Sequence, residues 1–151
     1  MAKRLGWDFL DLDQEIEKTA GMSVSDIFGN LGEPEFRIFE SQSLSETSQQ
    51  THTVIACGGG VVTRPENIEY LKKELTVWLD ISPEAAAKRL EYADDRPLLT
   101  ECKDTLLQLG KILNQRRDAY EKSARIRINA DQELAEKVVE DIVKALKDID
   151  A

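Results

Sequence analysis

One histidine and two cysteines are all that this 151-residue chain offers a soft metal or a disulfide. Neither Cys57 nor Cys102 stands in a C-x-x-C or Cys/His spacing, so zinc sites and a disulfide framework are excluded as organising principles. Both cysteines are expected to be free thiols, and His52, alone in the polar stretch Glu46 to Thr53, receives no role. Long hydrophobic runs are also missing. The longest apolar stretches, near Val54 and Val77, are strand-sized, far short of the ~20 residues a bilayer-crossing helix needs. The opening residues Met1 to Trp7 carry no apolar segment with a small-residue cleavage site, which predicts a cytoplasmic location. Positive charge is in deficit, with 20 basic against 29 acidic side chains and a net charge of −9. That balance repels a phosphate backbone and argues against nucleic acid as a partner. Any anionic ligand must find a local arginine site. What remains, 41% hydrophobic and 32% charged residues, is the composition of one globular domain spanning residues 1–151.

Periodicity predicts strands alternating with helices. Trp7 to Asp13 reads as a short strand ending in two aspartates, and Gln14 to Thr19 as a helix closed by Gly21. Ser23 with Asp26 three residues on resembles a capping box, and Glu33-Pro34-Glu35 opens a longer helix whose inward face carries Phe36, Phe39 and Leu44. Thr53 to Cys57 and Thr76 to Asp80 are continuous apolar runs, the pattern of strands buried on both faces. Ser82-Pro83-Glu84 starts a helix to about Tyr92. Ala93 to Lys103 breaks the pattern and reads as a mobile loop. A helix from about Asp104 to Lys122, a strand at Arg125 to Asn129 and a helix from Gln132 to about Leu146 follow. The predicted fold is α/β, three layers with helices on both sides of a mostly parallel sheet. Ligands on such sheets sit beyond the carboxyl ends of the strands.

That rule selects a few residues. Asp11 and Asp13 place two carboxylates in one pocket if the strand runs through both, suited to a divalent cation or a substrate proton. Equally, Asp13 simply caps the next helix. Gly58-Gly59-Gly60 lets backbone N–H groups approach a ligand closely, and also suits a tight turn. Arg37, Arg89, Arg96, Arg116 and Arg117 are the cations an acidic chain has for an anion. Glu40, three residues after Arg37, is placed to pin its guanidinium. Arg96, in the non-periodic segment, is placed to close over phosphates.

Taken together, Phe9-Leu10-Asp11-Leu12-Asp13, Ile16-Glu17, Gly21, Ile27-Phe28, Gly32-Glu33, Phe36-Arg37 with Glu40, Gly58-Gly59-Gly60, Arg96-Pro97-Leu98-Leu99 and Arg116 four before Tyr120 resemble shikimate kinase in order and spacing. The resemblance runs from about Leu5 to Leu146. It implies a nucleoside-monophosphate-kinase-like (P-loop-kinase-like) fold, with a substrate-binding helical part at about 14–45 and a lid at about 93–103. The implied reaction moves the γ-phosphoryl of ATP to the 3-hydroxyl of shikimate, in aromatic amino-acid biosynthesis, with Mg²⁺ as the cation and the monomer as the usual state. By the same resemblance Asp13 holds the substrate hydroxyls and acts as base, and Asp11 helps position Mg²⁺. Arg37 and Arg116 clasp the carboxylate, and the backbone of Gly58, Gly59 and Gly60, Gly59 foremost, meets the substrate. Arg96 stabilises the transferring phosphoryl group and Arg89 flanks the adenine. Such roles suit a loose transition state that needs alignment and distributed positive charge.

One element of the family pattern has no counterpart. Its phosphate cradle, G-x-x-x-x-G-K-S/T between a first strand and helix, occurs nowhere in these 151 residues. Ala2-Lys3-Arg4-Leu5-Gly6 resembles the tail of the helix that follows that loop. ATP affinity and turnover are expected to collapse without it. The family's first strand lies in mid-sheet, so its loss is expected to leave unpaired backbone groups, at ~1–3 kcal/mol each against a total stability of ~5–15 kcal/mol. Two explanations stand: a coding sequence whose start is set too far downstream, tested by the upstream in-frame DNA, or a shortened, inactive relative that binds shikimate or a partner. A related small-molecule kinase, such as a gluconate kinase, is a third reading.

Overall fold

The computed structural model describes residues 1–90, 105–131 and 134–149, and the chain divides into two compact units, Met1–Glu74 and Leu75–Ala151. In the first unit, a single turn α1 (Ala2–Leu5) ends at Gly6, whose φ of 67° is the left-handed cap glycine tolerates best. Strand β1 (Asp8–Asp11) runs straight into α2 (Leu12–Ala20), which is followed by α3 (Val24–Asn30) and α4 (Glu33–Thr47). The local signals act as expected: Gly21 closes α2 at φ 68°, and the Ser23 hydroxyl accepts from the Asp26 N–H at 3.1 Å. Strand β2 (Thr53–Ala56), a 3-10 turn (Val61–Thr63) and α5 (Pro65–Leu71) complete the unit. β2 pairs parallel with β1, Asp8 opposite Thr53 through Asp11 opposite Ala56. Leu12, Ile16 and Ile27 are fully buried and, with Phe36, Leu44, Val61, Val62 and Leu71, form the core.

The second unit carries β3 (Val77–Asp80), α6 (Pro83–Leu90), α7 (Thr105–Ser123), β4 (Ile126–Asn129) and α8 (Ala135–Ile149). β3 pairs parallel with β4, Val77 opposite Ile126 through Asp80 opposite Asn129. Helix α6 packs on α7, and α8 lies against β4. Trp78, Ile126, Ala130 and Ile142 are its buried apolar residues. Among the described residues no helix is long and apolar enough to cross a membrane.

The α/β architecture with parallel strands is as expected, but the strands fall into two pairs, one per unit, where a single sheet was predicted. Each strand therefore has one hydrogen-bonded neighbour among the described residues. The runs read as buried on both faces are only partly covered: Ala56 is exposed, and Leu79 is 49% exposed. The Ala93–Lys103 segment, with the lid and Arg96, and the thiol of Cys102 lie outside the described residues.

Candidate functional site

In the first unit, the end of β1 and the segment after β2 lie side by side because the strands are parallel and in register. The strand ends at Asp11, so Asp11 and Asp13 do not share a face of the pleat; Asp13 stands in the first turn of α2. Asp11, not Asp13, is the helix cap. Its Oδ1 accepts from the Asp13 N–H at 3.0 Å and the Gln14 N–H at 3.4 Å. Asp13 instead faces the glycine run. A Cβ placed on Gly58 would lie 3.7 Å from Asp13 Oδ1 and 3.9 Å from Glu40 Oε1.

Arg37 and Glu40 come from α4, one turn apart and both turned inward. Arg37 Nη1 donates to Glu40 Oε2 at 2.8 Å, while Nε and Nη2 donate to Glu33 Oε1 at 3.2 and 2.9 Å. The Glu40 side chain is 1% exposed, Arg37 14% and Glu33 54%. Burial acts to lower the Arg37 pKa, but the hydrogen bonds and charges of Glu40 and then Glu33 outweigh it, and the value is raised from the ordinary one. The guanidinium rests against Gly60, well inside van der Waals contact of where a Cβ would stand. Gly60 has φ −85°, open to any residue, so close approach rather than backbone strain is what calls for glycine there. Cys57, exposed at the end of β2, has its thiol pushed up to about 12 by desolvation and by the carboxylates of Glu40, Asp13 and Asp11. Carboxylates of Glu40, Asp13 and Asp11 thus act on the same place as the Arg37 guanidinium.

Of the residues named from the sequence, the structure gathers Asp13, Arg37, Gly58 and Gly60 in this one place, with Gly59 exposed between the two glycines. Arg116 and Arg89 belong to the second unit. Arg116 is half-buried on α7, and Arg89, near the end of α6, donates to the Ala130 carbonyl. In that unit the Trp78 ring stacks on Tyr120 at 5.5 Å and lies under Arg127 and Arg117, at 4.6 and 5.7 Å. A cavity of about 250 Å³ beside it is lined by Asp80, Ser82, Asn114, Arg117, Asn129 and Asp131, at the carboxyl ends of β3 and β4. Sequence reasoning gave Glu33 no role and did not anticipate the burial of Glu40. The i,i+4 spacing of Glu33 and Arg37 carried the first signal; nothing local carried the second.

Among the described residues, no group of three or more His, Cys, Asp or Glu side chains is arranged to hold a metal ion, and Asp11 commits one oxygen to its cap. They form no all-protein cage for a cation; Mg²⁺ is commonly held by one or two carboxylates together with substrate phosphates.

A family model described as "Shikimate kinase" matches residues 1–147. A shikimate kinase of Synechococcus elongatus is 40% identical over 152 residues, covering 97% of this chain and 79% of the relative. The structure of Acinetobacter baumannii shikimate kinase in complex with shikimate superposes with a TM-score of 0.91 at 32% identity, covering 97% of this chain and 82% of that one. A crystal structure of shikimate kinase from Bacteroides thetaiotaomicron gives 0.86 at 30% identity, covering 98% and 86%.

Proposed function

The chain belongs to the shikimate kinase family, and we propose that its first unit holds shikimate, as the acceptor for the γ-phosphoryl group of ATP. The observation that carries this reading is the Arg37 guanidinium, held by two glutamates against Gly60 with the Asp13 carboxylate facing Gly58 one step along the same run. Shikimate is a ring with a carboxylate at one end and hydroxyls at the other. A fixed cation and a fixed carboxylate, separated by a bare backbone surface, match those two ends.

Three of the five guanidinium N–H groups are taken up by Glu33 and Glu40, which leaves two to meet a ligand carboxylate. Asp13 accepts a ring hydroxyl and serves as its base. The backbone of Gly58, Gly59 and Gly60 lies along the ring. By the family resemblance, Arg116 is assigned to the acceptor carboxylate, Arg96 to the transferring phosphoryl group and Arg89 to the adenine. When bound, Mg²⁺ would supply charge neutralisation on the nucleotide phosphates, with Asp11, by the family resemblance, helping to position it.

Calorimetric titration of the 151-residue chain with shikimate tests this reading. Saturable heat is expected with shikimate and none with gluconate, which has no ring. Gly60→Ala is expected to weaken shikimate binding ~10-fold by displacing the guanidinium, with the fold retained. No saturable heat with the wild-type chain would reject the proposal. Saturable heat with gluconate would favour the related-kinase reading.

A further inference from the structure

The glycine run is held in part by the residues that follow it. It leaves β2 after Ala56 and enters the 3-10 turn Val61–Thr63, where the Val61 N–H donates to the Gly58 carbonyl at 3.1 Å and the Thr63 N–H to the Gly60 carbonyl at 2.9 Å. Glycine has the widest choice of backbone conformation, so three in succession keep one shape only where neighbours impose it. Two side chains that follow the run reach back to it. The Thr63 hydroxyl donates to the Gly60 carbonyl at 2.7 Å. Asn67, fully buried on α5, donates from Nδ2 to the Val61 carbonyl at 2.9 Å.

The Asn67 amide is a poor stabiliser of the core. Its Oδ1 is buried with no hydrogen-bond partner among the described residues, and an unpaired buried acceptor offsets what the donor bond contributes. Leucine is its apolar counterpart in size. What only the amide provides is its bond to the Val61 carbonyl. From the other side, Arg64 Nη1 donates to the Arg37 carbonyl at 3.3 Å, so the start of α5 grips both the glycine run and the helix that carries Arg37.

We propose that Asn67 and Thr63 are positioning residues for the acceptor pocket, fixing the Gly58–Gly60 run beneath Arg37 through the carbonyls of Val61 and Gly60. This deepens the shikimate assignment and rests on it. Neither side chain touches the acceptor; each acts through the backbone.

The test uses Asn67→Leu, Thr63→Val and Thr63→Ser in the 151-residue chain, with three readouts: thermal midpoint, hydrogen exchange at the Val61 and Thr63 amides, and shikimate dissociation constant. For Asn67→Leu the midpoint is expected to hold or rise, while the two amides exchange ~10-fold faster and shikimate binds ~10-fold more weakly. A purely structural role would move the midpoint and the affinity down together, which is the opposite split. Thr63→Val is expected to shift exchange and affinity in the same direction, and Thr63→Ser, which keeps the hydroxyl, to match wild type. Should Asn67→Leu fail to fold, the Val and Ser pair at position 63 decides. Unchanged exchange in both the Leu and Val variants would overturn the proposal, as would faster exchange with unaltered shikimate affinity. A wild-type chain that does not bind shikimate would reject the functional assignment instead, while the exchange rates still judge the positioning.

Discussion

Given ATP and shikimate, these 151 residues are expected to release ADP at least ~10³-fold more slowly than the same residues preceded by a strand and a G-x-x-x-x-G-K-S/T loop. Phosphoryl transfer of this kind leaves the protein little covalent chemistry to do; it needs the phosphates held in line and their charge dispersed. The loop supplies backbone N–H groups, a lysine on the β- and γ-phosphates and a hydroxyl on the metal ion, and its G-x-x-x-x-G-K-S/T string does not occur in these 151 residues. Removing a single charge-stabilising donor from an active site typically costs ~10²–10³ in rate, and here a whole set is absent. A coupled ADP-release assay on the two forms measures the difference. The resemblance places the added strand in mid-sheet, so the extended form is also expected to melt higher. Equal turnover by the two forms would remove the nucleotide loop from the account.

The second large effect is expected at the Arg37–Glu40 pair. Arg37→Ala strands the Glu40 carboxyl, now 1% exposed, without its cation. Breaking a buried pair from one side costs ~3–5 kcal/mol. Loss of its cation, with the burial kept, raises a carboxyl pKa. The folded form of that variant then favours the protonated acid. Its stability is highest at low pH and falls as pH rises through the raised value. Replacing both partners, Arg37→Met with Glu40→Leu, is expected to leave stability within ~1 kcal/mol of wild type and yet weaken shikimate binding by ~10² or more. Denaturant unfolding from pH 4 to 8 and calorimetry separate the two effects. A double variant that still binds shikimate normally would take the guanidinium out of the site.

The contrast between that pair and its neighbours shows what the sequence could carry. Gly21 and Ser23 were legible as caps because a cap is decided within four residues. The strands β1 to β4 were legible from short apolar runs, and their parallel pairing from the helices between them. The inward face of α4 was not. Apolar periodicity picks out Phe36 and Leu44, which are buried, but it passes over Glu40, Ser43 and Thr47 on the same buried face, because a charged or hydroxylated side chain reads as solvent-facing. Glu40 is there because Arg37 comes in with it. The shared strand face of Asp11 and Asp13 was conditional on the strand running through both; the chain turns into helix between them, and the cap is Asp11 and not Asp13. Covering of the strands was also overestimated. Leu79 stays half exposed, in a sheet of two strands among the described residues. The glycine run was legible as a close-approach segment, but which side chain lies on it was a question of tertiary packing, and only coordinates place Arg37 on Gly60.

The central claim is that Asp13, Arg37 and the Gly58–Gly60 run form one acceptor pocket. Amide-resolved NMR titration of the isotope-labelled chain with shikimate tests it most directly. Within the first unit, the account predicts saturable shifts concentrated at Asp13, Arg37 and Gly58 to Val61, with the amides of α1 and of the α3 interior unmoved. Saturable binding whose shifts leave those residues untouched would contradict it.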